Sequence, residues 1–213
     1  GMNGSVAVGY QSMMFANSAV SGYTSNTAVG YEALKGSNNP SNNTGVGNAA
    51  FGFSALVNNT SGTGNTALGK NSLQSNTSGD QNTSSGNGSQ YSNTTGIRNS
   101  SIGYQSLFAN TEGNYNTAVG HSSLKTNTIG NSNTTLGYNT DVSSNNLSNS
   151  MALGANAIVT SSNTIQLGDS NVTLVNTSGT VSATAFTGDG SGLTNLNVNS
   201  AVSSSTHLDD LNN

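Results

Sequence analysis

The chain has no cysteine, no tryptophan and a single proline, Pro40, among 213 residues. Without cysteine there can be no disulfide and no thiolate metal site. Charged side chains make up 6% of the sequence, against about 25% in an ordinary globular domain. The 4 Lys and Arg against 8 Asp and Glu give a net charge of −4, so the basic face that nucleic acid requires is missing. No apolar run approaches the ~18 residues of a membrane-spanning helix. No secretory leader is visible, and Gly1-Met2 reads as a cloning remnant before a start codon. Hydrophobic residues are 31%, too few for an ordinary globule to offset the entropy of an ordered chain. Charge and proline, the usual marks of disorder, are equally scarce. What is abundant is Asn, Ser, Thr and Gly, with 27 Gly, and the class that fits is a repeat protein.

One pentad recurs: Asn, then Thr or Ser, a small residue, an aliphatic residue, Gly. It is read at Asn26–Gly30, Asn43–Gly47, Asn65–Gly69, Asn99–Gly103, Asn116–Gly120 and Asn133–Gly137, with a partial copy at Ser5–Gly9. The closing glycines fall at Gly9, Gly30, Gly47, Gly69, Gly86, Gly103, Gly120, Gly137, Gly154 and Gly168. Their dominant spacing is 17 residues. Two longer steps read as 17 residues plus an insertion, the second placed near Ala55–Thr60. A second motif, Asn-Thr-x-Gly, ends ten residues after many of these glycines, as at Asn76–Gly79, Asn93–Gly96, Asn110–Gly113 and Asn127–Gly130. Each repeat is read as two short strands and two tight turns. Gly supplies positive φ at the turns, and Asn tolerates it. Seventeen residues are too few for a βαβ unit, so each repeat is one coil of a parallel β-roll or β-solenoid of about ten coils.

Within a coil, the aliphatic residue before the first Gly (Val8, Val29, Val46, Leu68, Ile102, Val119, Leu136, Leu153, Leu167) is assigned to a narrow apolar column. A second apolar position, four residues after the Gly, joins it: Leu34, Phe51, Leu73, Leu107, Leu124 and Ile158. The repeat ending at Gly86 has Ser84-Ser85 instead and reads as the weakest layer. Asp141 breaks the column, and the step shortens to 14 residues between Gly154 and Gly168. The organisation read is 1–142 as 17-residue repeats, 143–170 as 14-residue repeats, 171–198 as a β connector and 199–213 as a polar linker or stalk start. The connector is placed on strand-like runs at Val172–Val175 and Val181–Phe186 and a glycine-rich turn at Gly188–Gly192.

The stretch Asn149–Gly168 resembles the head repeats of trimeric autotransporter adhesins. The 17-residue pattern, clearest in Asn26-Thr-Ala-Val-Gly-Tyr-Glu-Ala-Leu34, is similar to repeats of bacterial surface proteins and phage tail fibres. The segment Thr177–Leu196 is similar to connectors of long fibre proteins. The resemblance covers about residues 4–196. It implies a left-handed parallel roll assembled as a homotrimer, carried on a stalk as a segment of a longer extracellular, cell-surface or virion fibre. It implies attachment to a host-surface receptor, glycan or matrix protein. Physics favours association as well: so thin a column gains apolar cover from neighbouring copies, and closed cyclic symmetry is the usual result.

No enzymatic constellation assembles from the residues. His121 occupies the repeat position of Tyr10, Tyr31, Tyr104 and Tyr138, and His207 lies in the polar tail. The carboxylates Glu32, Asp80, Glu112, Asp141, Asp169 and Asp189 fall at different repeat positions, whereas a glycosidase needs a facing pair. No cofactor or metal and no membrane insertion are expected. The candidate ligand contacts are Tyr10, Tyr31, Tyr104, His121 and Tyr138, which form one row. The inserted loops near Lys35–Pro40 and Ala55–Asn59 are candidate recognition elements on a rigid scaffold. A regular threonine face on a monomeric solenoid, binding ice, is the alternative.

Overall fold

A computed structural model describes residues 4–17 and 23–182. It is an all-β solenoid. Ten short strands form one parallel sheet in strict chain order: β1 (Val6–Val8), β2 (Thr27–Val29), β3 (Ala49–Phe51), β4 (Thr66–Leu68), β5 (Thr83–Ser85), β6 (Ser100–Ile102), β7 (Thr117–Val119), β8 (Thr134–Leu136), β10 (Met151–Leu153) and β12 (Ile165–Leu167). Ten strands in sequence make about nine turns of the coil. The remaining two strands, β9 (Asp141–Val142) and β11 (Ile158–Val159), pair on a second side.

Register confirms the 17-residue period and relocates one insertion. Thr66 lies beside Thr83, Thr83 beside Ser100, and Thr117 beside Thr134. The 17-residue step continues through Thr134 to Met151, and a single 14-residue step, Met151 to Ile165, follows. Thr27, however, pairs with Ala49. The third strand therefore closes at Gly52, and Asn43–Gly47 is no strand. Gly47, at φ +68°, takes the outer-turn place that Gly64, Gln81, Arg98 and Tyr115 fill in later coils, each also with positive φ. The extra residues lie between β2 and β3, around a 3-10 turn at Pro40–Asn42. Ala55–Thr60 runs in ordinary register, with Leu56 N–H donating to Ser72 O at 3.0 Å and Thr60 N–H to Thr77 O at 2.9 Å.

The second leg of each 17-residue coil is not a strand. The residues two and four places after the closing glycine are left-handed, as at Asn71 and Leu73 (φ +57° and +50°) or Gln105 and Leu107 (φ +51° and +52°). Side-chain-bearing residues enter that region only where the surroundings over-determine it. Here coil-to-coil bonds do so: Leu73 N–H donates to Ser89 O at 3.1 Å, Leu107 N–H to Ser123 O at 2.8 Å and Leu124 N–H to Thr140 O at 2.7 Å. The leg becomes extended only where Asp141 replaces leucine, and there β9 and β11 form.

The interior differs from the sequence expectation in phase. In a three-residue strand, alternate side chains face opposite ways. The middle residue points in: Ala28, Ala50, Ala67, Ala118 and Ala152 are completely buried. The residue before the glycine points out, so Leu68, Ile102 and Leu136 are each 52% exposed. The large interior residues are Leu56, Leu73, Leu107 and Leu124. Phe51 lies on the outer face of β3, and Leu56 fills the interior place assigned to it. Likewise Ile158 is exposed while Val159 is buried. The interior is too narrow for two large residues per coil because asparagine occupies the rest of it.

Two asparagine ladders fill that space. In the first, Asn65, Asn82, Asn99, Asn116 and Asn133 each use the main-chain N–H to donate to the Oδ1 of the asparagine one coil earlier, at 2.9 Å. The Nδ2 of Asn99 donates to Gly113 O at 2.8 Å. In the second ladder, Asn76, Asn93, Asn110 and Asn127 donate Nδ2 to the preceding asparagine's Oδ1 at 2.8–2.9 Å. The closing glycines also stack. At Gly69 (φ +134°) a Cβ would stand 2.6 Å from Gly86 O, which no side chain can occupy.

The apolar interior is interrupted once. One cluster runs from Met13 to Leu73, and a second runs from Leu107 to Val159. Between them Gln90 takes the leucine place, among buried Ser84, Ser89, Ser101 and Ser106. Gln90 Nε2 donates to Thr83 O and Ser101 Oγ, both at 2.9 Å, but its Oε1 has no partner. Ser85, by contrast, lies on the outer face. A buried acceptor without a donor costs about 1–3 kcal/mol. The φ of Gln90 (+49°) is the one leucine already adopts at Leu73 and Leu107. Gln90→Leu is therefore expected to raise stability by about 1–3 kcal/mol in thermal melts. A lower melting temperature would show that the polar layer is net stabilising.

No strand is assigned at 171–182. The solenoid unit ends at Thr173, and the described residues 174–182 lie outside it. Leu174, Val175 and Val181 among them are exposed. Most of Val181–Phe186, the glycine-rich turn at Gly188–Gly192, His207 and the predicted linker lie outside the described residues.

Candidate functional site: an outward apolar and aromatic face

Because the middle residue of each three-residue strand turns in, its two neighbours turn out. Val8, Val29, Phe51, Leu68, Ile102, Val119, Leu136, Leu153 and Leu167 form a column along the sheet, broken by Ser85. Beside it runs a second outward column of Thr27, Thr66, Thr83, Ser100, Thr117 and Thr134, with Val6, Ala49, Met151 and Ile165 completing it. Strand spacing of about 4.8 Å makes this ten-stranded face roughly 45 Å long. Exposed apolar stripes of this kind, here interrupted at Ser85, are common at interaction surfaces.

The candidate contacts Tyr10, Tyr31, Tyr104, His121 and Tyr138 adjoin this face, one residue beyond each closing glycine. The structure brings them together in two groups. Tyr10 stacks on Tyr31 with centroids 5.2 Å apart, and Tyr31 on Phe53 at 4.9 Å. Tyr104 stacks on His121 at 4.9 Å, and His121 meets Tyr138 at 5.5 Å. Phe53 was missed from the sequence because Gly47 was taken for Gly52; the Gly-Phe pair at Gly52-Phe53 parallels Gly-Tyr at Gly30-Tyr31. Within each group the middle ring, Tyr31 or His121, lies between two others, while the end rings such as Tyr10 and Tyr138 stay exposed. Another pair, Tyr91 and Phe108, stacks at 5.1 Å.

All four cations of the protein lie over aromatic rings: Lys35 over Phe15, Lys70 over Phe53, Arg98 over Tyr115 and Lys125 over Phe108, at 5.6–6.0 Å. Arg98 also donates from Nε to Gln81 Oε1 and from Nη1 to Tyr115 Oη. Each cation is thus spread along the roll and engaged locally. Among the described residues no three His, Asp or Glu side chains converge into a metal-binding group. Nor is any helix there long and apolar enough to cross a membrane.

The structural repeat residues Asn26, Asn65, Asn116 and Asn133 sit in the first ladder, and Gly30, Gly69, Gly103, Gly120 and Gly137 form the corner stack, with Gly154 (φ +102°) continuing it. Comparison of the chain with protein-family models and with curated proteins gave no match.

One carboxylate is perturbed. Burial pushes the Asp141 carboxyl above the ordinary 3.8. Bonds from Val142 N–H at 2.8 Å and from the Thr126 N–H and hydroxyl offset part of this. A raised folded value means that the folded state holds the proton more tightly than the unfolded chain. Stability is then lost as pH rises upward from about 3.8, through the carboxylate range. Asp141→Asn keeps an acceptor and removes the charge. Thermal melts of the two proteins are expected to converge at low pH, with the variant the more stable near neutrality. A variant less stable at neutral pH would show that the hydrogen bonds to the ionised carboxylate outweigh its burial.

Proposed function

We propose that this chain is an adhesive segment of an extracellular trimeric fibre, on a cell surface or a virion, whose outward sheet face packs against two further copies of itself. The observation that carries this reading is the apolar column running along the sheet from Val8 to Leu167. A monomer would leave that surface in water, and a closed cyclic assembly covers it without leaving a free edge along the fibre. The repeat resemblance to trimeric adhesin heads supplies the number three. Three copies then present three sets of surface residues to a host receptor, glycan or matrix protein, and weak single contacts sum to useful avidity. A tail-fibre segment for receptor binding or spacing rests on the same assembly.

The column of Thr27, Thr66, Thr83, Thr117 and Thr134 supports one other reading, a monomeric ice-binding solenoid. Ala49, Ser100 and Met151 interrupt its regularity, and the neighbouring column varies from serine to phenylalanine.

Light scattering coupled to gel filtration separates the two. The fibre reading expects a mass near three times 21.3 kDa. It also expects Leu68→Glu combined with Leu136→Glu to release single chains whose strand signal in circular dichroism persists, since both side chains lie outside the coil. A wild-type monomer that inhibits ice recrystallisation would overturn it in favour of the alternative.

A further inference from the structure

The segment between β2 and β3 is the one insertion into the repeat that the described residues show in full, and a cleft lies beside it. The loop leaves the coil at Gly36 (φ +79°), where a Cβ would stand 2.7 Å from the Asn43 side chain. Asn43 closes the loop: its Nδ2 donates to Ser37 O at 2.9 Å and to Phe15 O at 2.6 Å, and Ser37 N–H donates to its Oδ1 at 2.9 Å. Asn39 caps the short 3-10 turn, accepting from Ser41 N–H at 3.2 Å. The loop is thus fastened to the first coil and to itself, which lowers the ordering cost of any ligand it meets.

Between this loop and the following coils lies a cleft of about 350 Å³. It lies within the ~300–1,000 Å³ range of small-molecule sites. Glu32, Lys35, Ser37, Asn38, Asn58 and Gln74 line it. Both segments singled out from the sequence as recognition elements, Lys35–Pro40 and Ala55–Asn59, contribute to its walls.

The lining selects a ligand class. Lys35 Nζ is bonded to Glu32 Oε1 at 2.8 Å, so the only two charged side chains in the cleft cancel. An anionic ligand would need an uncommitted cation. An apolar ligand would need the hydrophobic lining common to such sites, and here Val57 is the single branched aliphatic side chain. What remains is neutral amides and hydroxyls: Ser37 Oγ already bonds Asn39 and Asn58 Nδ2 already donates to Gln74 O, which leaves the exposed Asn38 amide, the Oδ1 of exposed Asn58 and the remaining lone pair of Ser37 to meet a ligand. We infer that this cleft binds a neutral saccharide unit, recognised through its hydroxyls by Ser37, Asn38 and Asn58. The inference rests on the reading of the chain as an attachment segment and names the ligand class for it.

The test is a printed array of neutral, sialylated and sulfated oligosaccharides, probed with the full chain. Retention on neutral glycans alone is expected. It should fall at least tenfold in the Ser37→Ala, Asn38→Ala, Asn58→Ala triple variant and stay unchanged in Thr160→Ala, an exposed site remote in sequence. Melting temperature and solution mass, measured on the same samples, show that the triple variant remains folded. Absence of neutral-glycan binding, binding confined to sialylated or sulfated glycans, or binding undiminished in the folded triple variant each overturns the inference. A monomer that binds in the expected pattern supports the cleft while refuting the trimeric fibre. A trimer that binds no neutral glycan refutes the cleft and leaves the assembly standing.

Discussion

Every feature of this solenoid follows from one constraint: successive coils must lie at the spacing of hydrogen-bonded strands, about 4.8 Å. At that distance a side chain can repeat from coil to coil only if it packs well against its own copy. Asparagine does so because its amide offers a donor on one side and an acceptor on the other. Glycine does so where one corner carbonyl meets the next, as Gly69 meets Gly86. Aromatic rings do so by stacking, as Tyr10, Tyr31 and Phe53 show. Such polar ladders recur in cross-β stacks. They let a chain with 31% hydrophobic residues hold an ordered interior without a conventional core.

The same constraint decides where apolar residues go. The ladders of Asn65–Asn133 and Asn59–Asn127 occupy much of the interior, leaving room per coil for one leucine and small residues such as Ala67 and Ser72. The larger strand residues are displaced outward, and the outer face becomes the more hydrophobic side of the sheet. Stability within the coil and association between copies therefore draw on different residues: Leu107 serves the first, Leu136 the second. Gln90 shows that even the leucine place can be polar, at the cost of an unpaired carbonyl and a break between two apolar clusters.

Much of this was legible in the sequence. The period, the parallel coils, the asparagine rows, the corner glycines and the inward leucines at Leu73, Leu107 and Leu124 all came from spacing. Two things did not. The phase of a three-residue strand is ambiguous, because Thr-Ala-Val can bury either its ends or its middle, and general hydrophobicity favoured the wrong choice for Val29 and Leu68. Near the insertion, Gly45, Gly47 and Gly52 all stand close enough to close a pentad. Only pairing in space distinguishes a strand-closing glycine from one in an outer turn. The cleft beside the inserted loop was visible only as two separate segments, since nothing in the sequence states that Ser37 and Asn58 face one space.

The central claim is that the interior asparagine ladders, more than the apolar residues, hold coil to coil. Native-state hydrogen exchange at the main-chain amides of Asn82, Asn99 and Asn116 tests it most directly, because each of these donates to the asparagine before it at 2.9 Å. The account predicts that they are among the slowest amides to exchange, opening only with global unfolding. Exchange through local opening, at a free energy well below that of global unfolding, would contradict it.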